Sequence, residues 1–116
     1  MVRHPRVKSV SAATVGGVDV TFSFSGELFE WEGQGAWFFV TLPRDLAEDI
    51  RDLELPRRGF GSVKVKVRTG GSEWQTSLFP DRKSGSYLLP VKKAIRRAEG
   101  IDEGDLVDFE IDLTVA

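Results

Sequence analysis

The chain has 116 residues, a formal net charge of −2 and a sequence pI of about 5.4, which fits one mildly acidic domain large enough to bury a core without staples. Hydrophobic residues make up 41% and charged residues 29%, the balance of an ordinary soluble globular protein. Cysteine is absent and His4 is the single histidine, so disulfides, thiolate metal sites, cysteine nucleophiles and a Ser-His-Asp triad on the core are excluded.

Residues 1–17 lack periodicity and are rich in Ser, Ala and Gly, which predicts a flexible N-terminal tail. They carry no apolar secretory segment, and no run in the chain approaches the roughly 18 apolar residues of a membrane span. A cytoplasmic location without a membrane partner is the expectation. Val18, Val20, Phe22 and Phe24 alternate with polar residues, the signature of a half-buried strand that continues past Gly26 to Trp31. The apolar phase shifts between Leu28 and Phe29, which points to a bulge near Gly26. Glu32 to Gly35 forms a turn, and Ala36 to Leu42 a second, largely apolar strand.

Pro43 opens a short helix with Leu46, Ala47 and Ile50 on its buried stripe. Leu55 to Gly61 reads as a loop. Val63, Val65 and Val67 alternate with Lys64, Lys66 and Arg68, so this strand buries one face. Thr69-Gly-Gly-Ser72 is a hairpin turn into a strand through Trp74, Thr76 and Leu78. Pro80 to Gly85 is a loop and Ser86 to Leu89 a short strand. A second helix starts at Pro90 or Val91 and stops at Gly100. In the last strand Val107, Phe109, Ile111, Leu113 and Val115 face in, while Asp108, Glu110, Asp112 and Thr114 face out. The strand–Pro–helix–strand pattern thus occurs twice. It predicts a mainly β, single-domain protein: a six-stranded double-split β-barrel with two short helices over residues 18–116. Closure removes the strand edges, and the inward side chains fill the interior.

The runs FSGELFEWEGQGAWFFVTLP, GSVKVKVRTGGSEWQTSLFP and GSYLLPVKKAIRRAEGIDEGDLVDFEIDL, spanning about residues 20–115, resemble DUF1905, a bacterial family of small domains of unknown function. The resemblance implies a double-split barrel and brings no activity. Leu89 to Val107 is also similar to AbrB/MazE-type swapped-hairpin DNA-binding domains, which pair two such hairpins as a dimer. Here one chain supplies both copies. The first departs from that pattern, with an acidic helix and with Gly59-Phe-Gly-Ser62 in place of the Gly-Asp turn, so the similarity supports the fold more than DNA binding.

Charge is segmented. Residues 57–97 carry eleven bases against Glu73 and Asp81, and residues 98–116 carry seven acids and no base. Arg57, Arg58, Lys64, Lys66, Arg68, Lys92, Lys93, Arg96 and Arg97 are therefore the candidate nucleic-acid contacts, on the strand 63–68, the helix 91–98 and the loop that precedes the strand. Arg82 and Lys83 add loop charge. Phe60, set among these bases, is the candidate stacking or interaction residue, or else a plug for the barrel mouth. Against nucleic acid stand the low pI and the acidic flanks. Lys64, Lys66 and Arg68 can instead pair with Asp108, Glu110 and Asp112 on a neighbouring strand.

No catalytic residue, metal site or cofactor is expected. Asp102, Glu103 and Asp105 do not match a calcium loop and read as a structural turn. Glu27, Glu30 and Glu32 beside Phe29 and Trp31 are the strongest acid/base alternative. Gly59-x-Gly61 lacks the third glycine of a dinucleotide fingerprint. The reading is a non-enzymatic binding or regulatory module of unassigned ligand, with a protein partner or a homodimer allowed by the charge segments. The alternatives are a DNA-binding regulator and an enzyme built on carboxylates, Ser, Lys, Arg or Tyr87 without His or Cys chemistry.

Overall fold

The computed structural model describes residues 7–12, 18–31, 37–53 and 61–115. The elements are β1 (Val7–Ala12), β2 (Val18–Glu30), β3 (Phe38–Thr41), α1 (Arg44–Asp52), β4 (Val63–Thr69), β5 (Ser72–Asp81), β6 (Ser86–Pro90), α2 (Lys93–Glu99) and β7 (Leu106–Val115). The sheet order is β1-β2-β3-β6-β5-β4-β7, and a further β2–β7 ladder closes the last six of these strands into an antiparallel barrel.

Alternation along each strand decides what fills the barrel. Phe22, Leu28, Val40, Val67, Leu78, Leu89, Ile111 and Leu113 are fully enclosed, and α1 adds Leu46, Ala47 and Ile50 to the same cluster. Phe24 and Phe109 stack with ring centroids 5.5 Å apart. Truncating an enclosed aromatic such as Phe22 to alanine costs about 3–5 kcal/mol in cores of this kind.

The topology repeats itself. Each half runs strand, strand, helix, strand: β2-β3-α1-β4 and β5-β6-α2-β7. β2 pairs with β3 and β7 as β5 pairs with β6 and β4, and the halves meet in the β2–β7, β3–β6, β4–β5 and β4–β7 ladders. Both helices follow a Leu-Pro step, as the sequence pattern indicates. Pro43 caps α1, where a missing N–H costs nothing. Gly100 ends α2 at φ 65°, a left-handed conformation that glycine adopts without penalty.

Four details differ from the sequence expectations. Part of the expected tail, Val7–Ala12, forms β1 and pairs with Val18–Ser23 of β2, covering a strand edge that β3 does not reach. No bulge occurs at Gly26: the β2–β7 register runs unbroken from Val18↔Val115 to Glu27↔Leu106. Leu28 keeps the inward phase, while Phe29 and Trp31 lie on the outer face. Gly26 is required by packing, since a Cβ there would collide with Val40 Cγ1. β5 continues through Pro80 to Asp81, shortening the following loop to Arg82–Gly85. Finally, α2 starts at Lys93, because Pro90 still pairs with Phe39 and the Val91 N–H donates to the Phe38 carbonyl at 3.0 Å.

Candidate functional site

The barrel splits where β6 turns into α2. β5 pairs with β6 only from Phe79 to Asp81, whereas it pairs with β4 from Ser72 to Leu78. Among the described residues, no strand pairs with the β6-side edge of β5 between Ser72 and Ser77. A cleft of about 550 Å³ opens along that edge. Its floor and one wall are Trp37, Phe38, Trp74 and Val91, and its rim carries Gln75, Lys92, Lys93 and Arg96. Such a volume lies within the range of small-ligand and peptide sites.

The walls differ in exposure and in how their side chains are held. Trp74 is almost fully buried, while Trp37 is 58% exposed and stacks parallel to Phe39 at 6.4 Å. Arg96 is pinned: its guanidinium carbon lies 3.9 Å from the Phe38 ring centroid, and Nε donates to the Val91 carbonyl at 3.2 Å. Lys92 and Lys93 are exposed. No carboxylate among the described residues forms an ion pair with Lys92, Lys93, Arg96 or Arg97. At the foot of α2 the Ser72 hydroxyl donates to Glu99, which ties the helix to the start of β5.

The bases of β4 divide. Arg68 binds Asp112 through both terminal nitrogens, at 2.6 and 3.0 Å, and donates from Nε to Glu110 at 3.1 Å. Asp112 also accepts from the Thr21 hydroxyl at 2.7 Å. The Arg68 hydrogen bonds hold the Asp112 carboxyl below its ordinary range, against the opposing effect of burial, and Thr21 adds to the lowering. The same carboxylates keep the Arg68 guanidinium firmly protonated. The β4–β7 pairing that competes with nucleic-acid binding is therefore realised at Arg68. Lys66 lies 3.9 Å from Glu73 and adds to the positive field on Asp112, its cross-strand partner, and Lys64 stays exposed. Both stand one strand from the cleft, opposite Gln75 and Ser77 respectively.

Arg57, Arg58 and Phe60 lie outside the described residues. Of the other candidate contacts, Lys92, Lys93 and Arg96 share the cleft, Lys64 and Lys66 flank it across β5, and Arg97 is exposed on α2. The acidic turn holds itself together: the Asp102 N–H donates to the Asp105 carboxylate at 2.8 Å, and the Gly104 N–H to the Leu28 carbonyl at 2.8 Å. Among the described residues no three His, Cys, Asp or Glu side chains cluster as metal ligands. No helix described is long and apolar enough to cross a membrane.

Sequence reasoning missed Trp37, Trp74 and the unpaired edge of β5. The signal for Trp37 was the unbroken apolar run from Ala36 to Val40, which makes both faces of β3 apolar. The outer face carries Trp31, Trp37 and Phe39, with Trp31 edge-on to Phe39 at 5.5 Å.

Fold and cleft together define a class: a small closed antiparallel β-barrel of two topologically equivalent halves, with one strand edge opening on a cation-rimmed cleft. The family model described as Domain of unknown function (DUF1905) matches residues 24–111, and the chain belongs to that family. No curated protein matches the chain.

Proposed function

We propose that the chain is a non-enzymatic binding module whose ligand is anionic and seats in the cleft between β5 and α2. The observation that carries this reading is the position of Lys92, Lys93 and Arg96 on the rim of an apolar cleft, without carboxylate partners among the described residues. Cations held beside a low-dielectric wall attract an anion more strongly than scattered surface lysines do. Trp74 and Phe38 supply the apolar contact, and the exposed Lys64 extends the positive field across β5. The acids of β7 face a different part of the barrel and are engaged by Arg68, Thr21 and Ser25.

Trp37 and Trp74 provide the readout. Titration with oligoglutamate, oligothymidylate and tripolyphosphate should change tryptophan fluorescence for at least one of them. The affinity should fall about tenfold or more between about 50 and 200 mM salt. Lys92→Ala/Lys93→Ala should weaken the same binding by a similar factor. The reading is overturned if none of the three binds at low salt, or if the double variant binds as the parent does.

A further inference from the structure

We infer that the cleft accepts an extended acidic peptide segment, which adds to the free edge of β5 as an antiparallel strand. This rests on the anionic-ligand reading above and names both the ligand's class and its mode of binding.

Three observations converge on it. The first is the unsatisfied edge: between Ser72 and Ser77, β5 has β4 on one side and no strand on the other among the described residues. An exposed edge is a row of backbone donors and acceptors that invites another strand. The second is the molecule's own precedent. β2 is the counterpart of β5, and its edge on the corresponding side is occupied by β1, an extended segment paired antiparallel through six residues. The split in one half is thus filled by a strand, while the split in the other opens as the cleft. β1 does not belong to the barrel closure, so it shows that a strand fits beside such a split without disturbing the ring. The third is charge. Lys92, Lys93 and Arg96 line one side of the cleft without carboxylate partners among the described residues, and the exposed Lys64 stands across β5 on the other, while Lys66 is engaged by Glu73, so a segment lying in the cleft meets a net positive rim.

The side-chain pattern of the ligand follows from strand geometry. Successive residues of an added strand point to opposite faces. One set packs on Trp37, Phe38 and Trp74, and the alternate set points to the basic rim. The segment therefore alternates apolar with Asp or Glu. The edge from Ser72 to Ser77 accommodates about five or six such residues, at roughly 3.4 Å each. Nucleic acid uses the cations but gains nothing from a strand edge, so the edge favours a peptide.

The test uses the full chain and a capped octapeptide of alternating Glu and Val, followed by calorimetry and by hydrogen exchange at the β5 amides. The expected result is salt-sensitive binding, with slowed exchange confined to β5 between Trp74 and Ser77. N-methylation of the peptide at alternate residues should abolish binding in one phase, by about tenfold or more, and leave it nearly intact in the other. A scrambled-phase peptide of the same composition should bind worse, and a Lys-Val peptide should not bind. If the octapeptide binds with dependence on Lys92 and Lys93, but both N-methylated phases bind equally and the β5 amides stay unprotected, strand addition is wrong while the anionic cleft stands. Tight binding of oligothymidylate that excludes the peptide would replace the peptide with single-stranded nucleic acid. If the Lys92→Ala/Lys93→Ala variant changes neither ligand, both readings fall.

Discussion

At the scale of single residues, the carboxylate of Asp112 does the most identifiable work on the outer face. It receives three hydrogen bonds, two from Arg68 and one from Thr21, and so links β7 to both of its neighbours in the barrel. Asp112 is largely shielded and Arg68 about one-third exposed, so screening leaves this pair worth more than a surface salt bridge and less than a buried one. Asp112→Ala should cost about 1–2 kcal/mol at neutral pH. The pH dependence has a definite sign. The folded state holds the Asp112 pKa below its unfolded value, so the contribution is complete above the ordinary carboxylate range and disappears as the pH falls through the lowered value. Urea unfolding of parent and Asp112→Asn from neutral pH down to strong acid should show a stability gap that closes in acid. A gap independent of pH would mean that the carboxylate charge contributes nothing.

At the scale of elements, helix ends and strand periods explain what was legible in the chain. Alternating Val and Lys in β4, the Gly-Gly hairpin into β5 and the two Leu-Pro steps into helices are local rules, and local rules survive into the structure. The β1 strand was not legible because VKSVSA has no period-2 apolar pattern, and its partner is an edge of β2 exposed only once the barrel closes. The cleft was hidden for a related reason. Whether the edge of β5 is free depends on where β6 leaves for α2, and the backbone bond from Val91 to Phe38 sets that point. The aromatics of the cleft are Trp37, Phe38 and Trp74, and the first two lie far in the chain from the bases they meet, so charge clustering in the sequence does not point to them. The end of α2 gives a direct test of the local rules. Gly100 has φ 65°, so Gly100→Ala should destabilise by about 1–2 kcal/mol even though open space surrounds it. Gly71 is equally uncrowded and is not held at a left-handed φ, so Gly71→Ala should be nearly neutral. Equal thermal shifts for the two variants would show that φ is not the determinant.

At the scale of the whole molecule, the two halves share one core and cannot be separated. The β3–β6 and β4–β7 ladders cross between them, and side chains from both halves form one buried cluster. Unfolding should therefore be a single cooperative transition. β1 stands apart, since the ring closes through β2–β7 without it. Removing residues 1–12 should leave a folded barrel whose denaturant transition stays coincident by tryptophan fluorescence and far-ultraviolet circular dichroism. What changes is the exposed edge of β2 from Val18 to Ser23, which then presents unpaired backbone groups of the kind that pair with other chains. Sedimentation should show the truncated chain associating as its concentration rises, with the full chain less prone to do so. Loss of the cooperative transition would instead make β1 part of the closed core. Retention of both folding and monomeric behaviour would show that an open split in this barrel does not attract a strand, and would weaken the case for strand addition at β5 by the same reasoning that supports it.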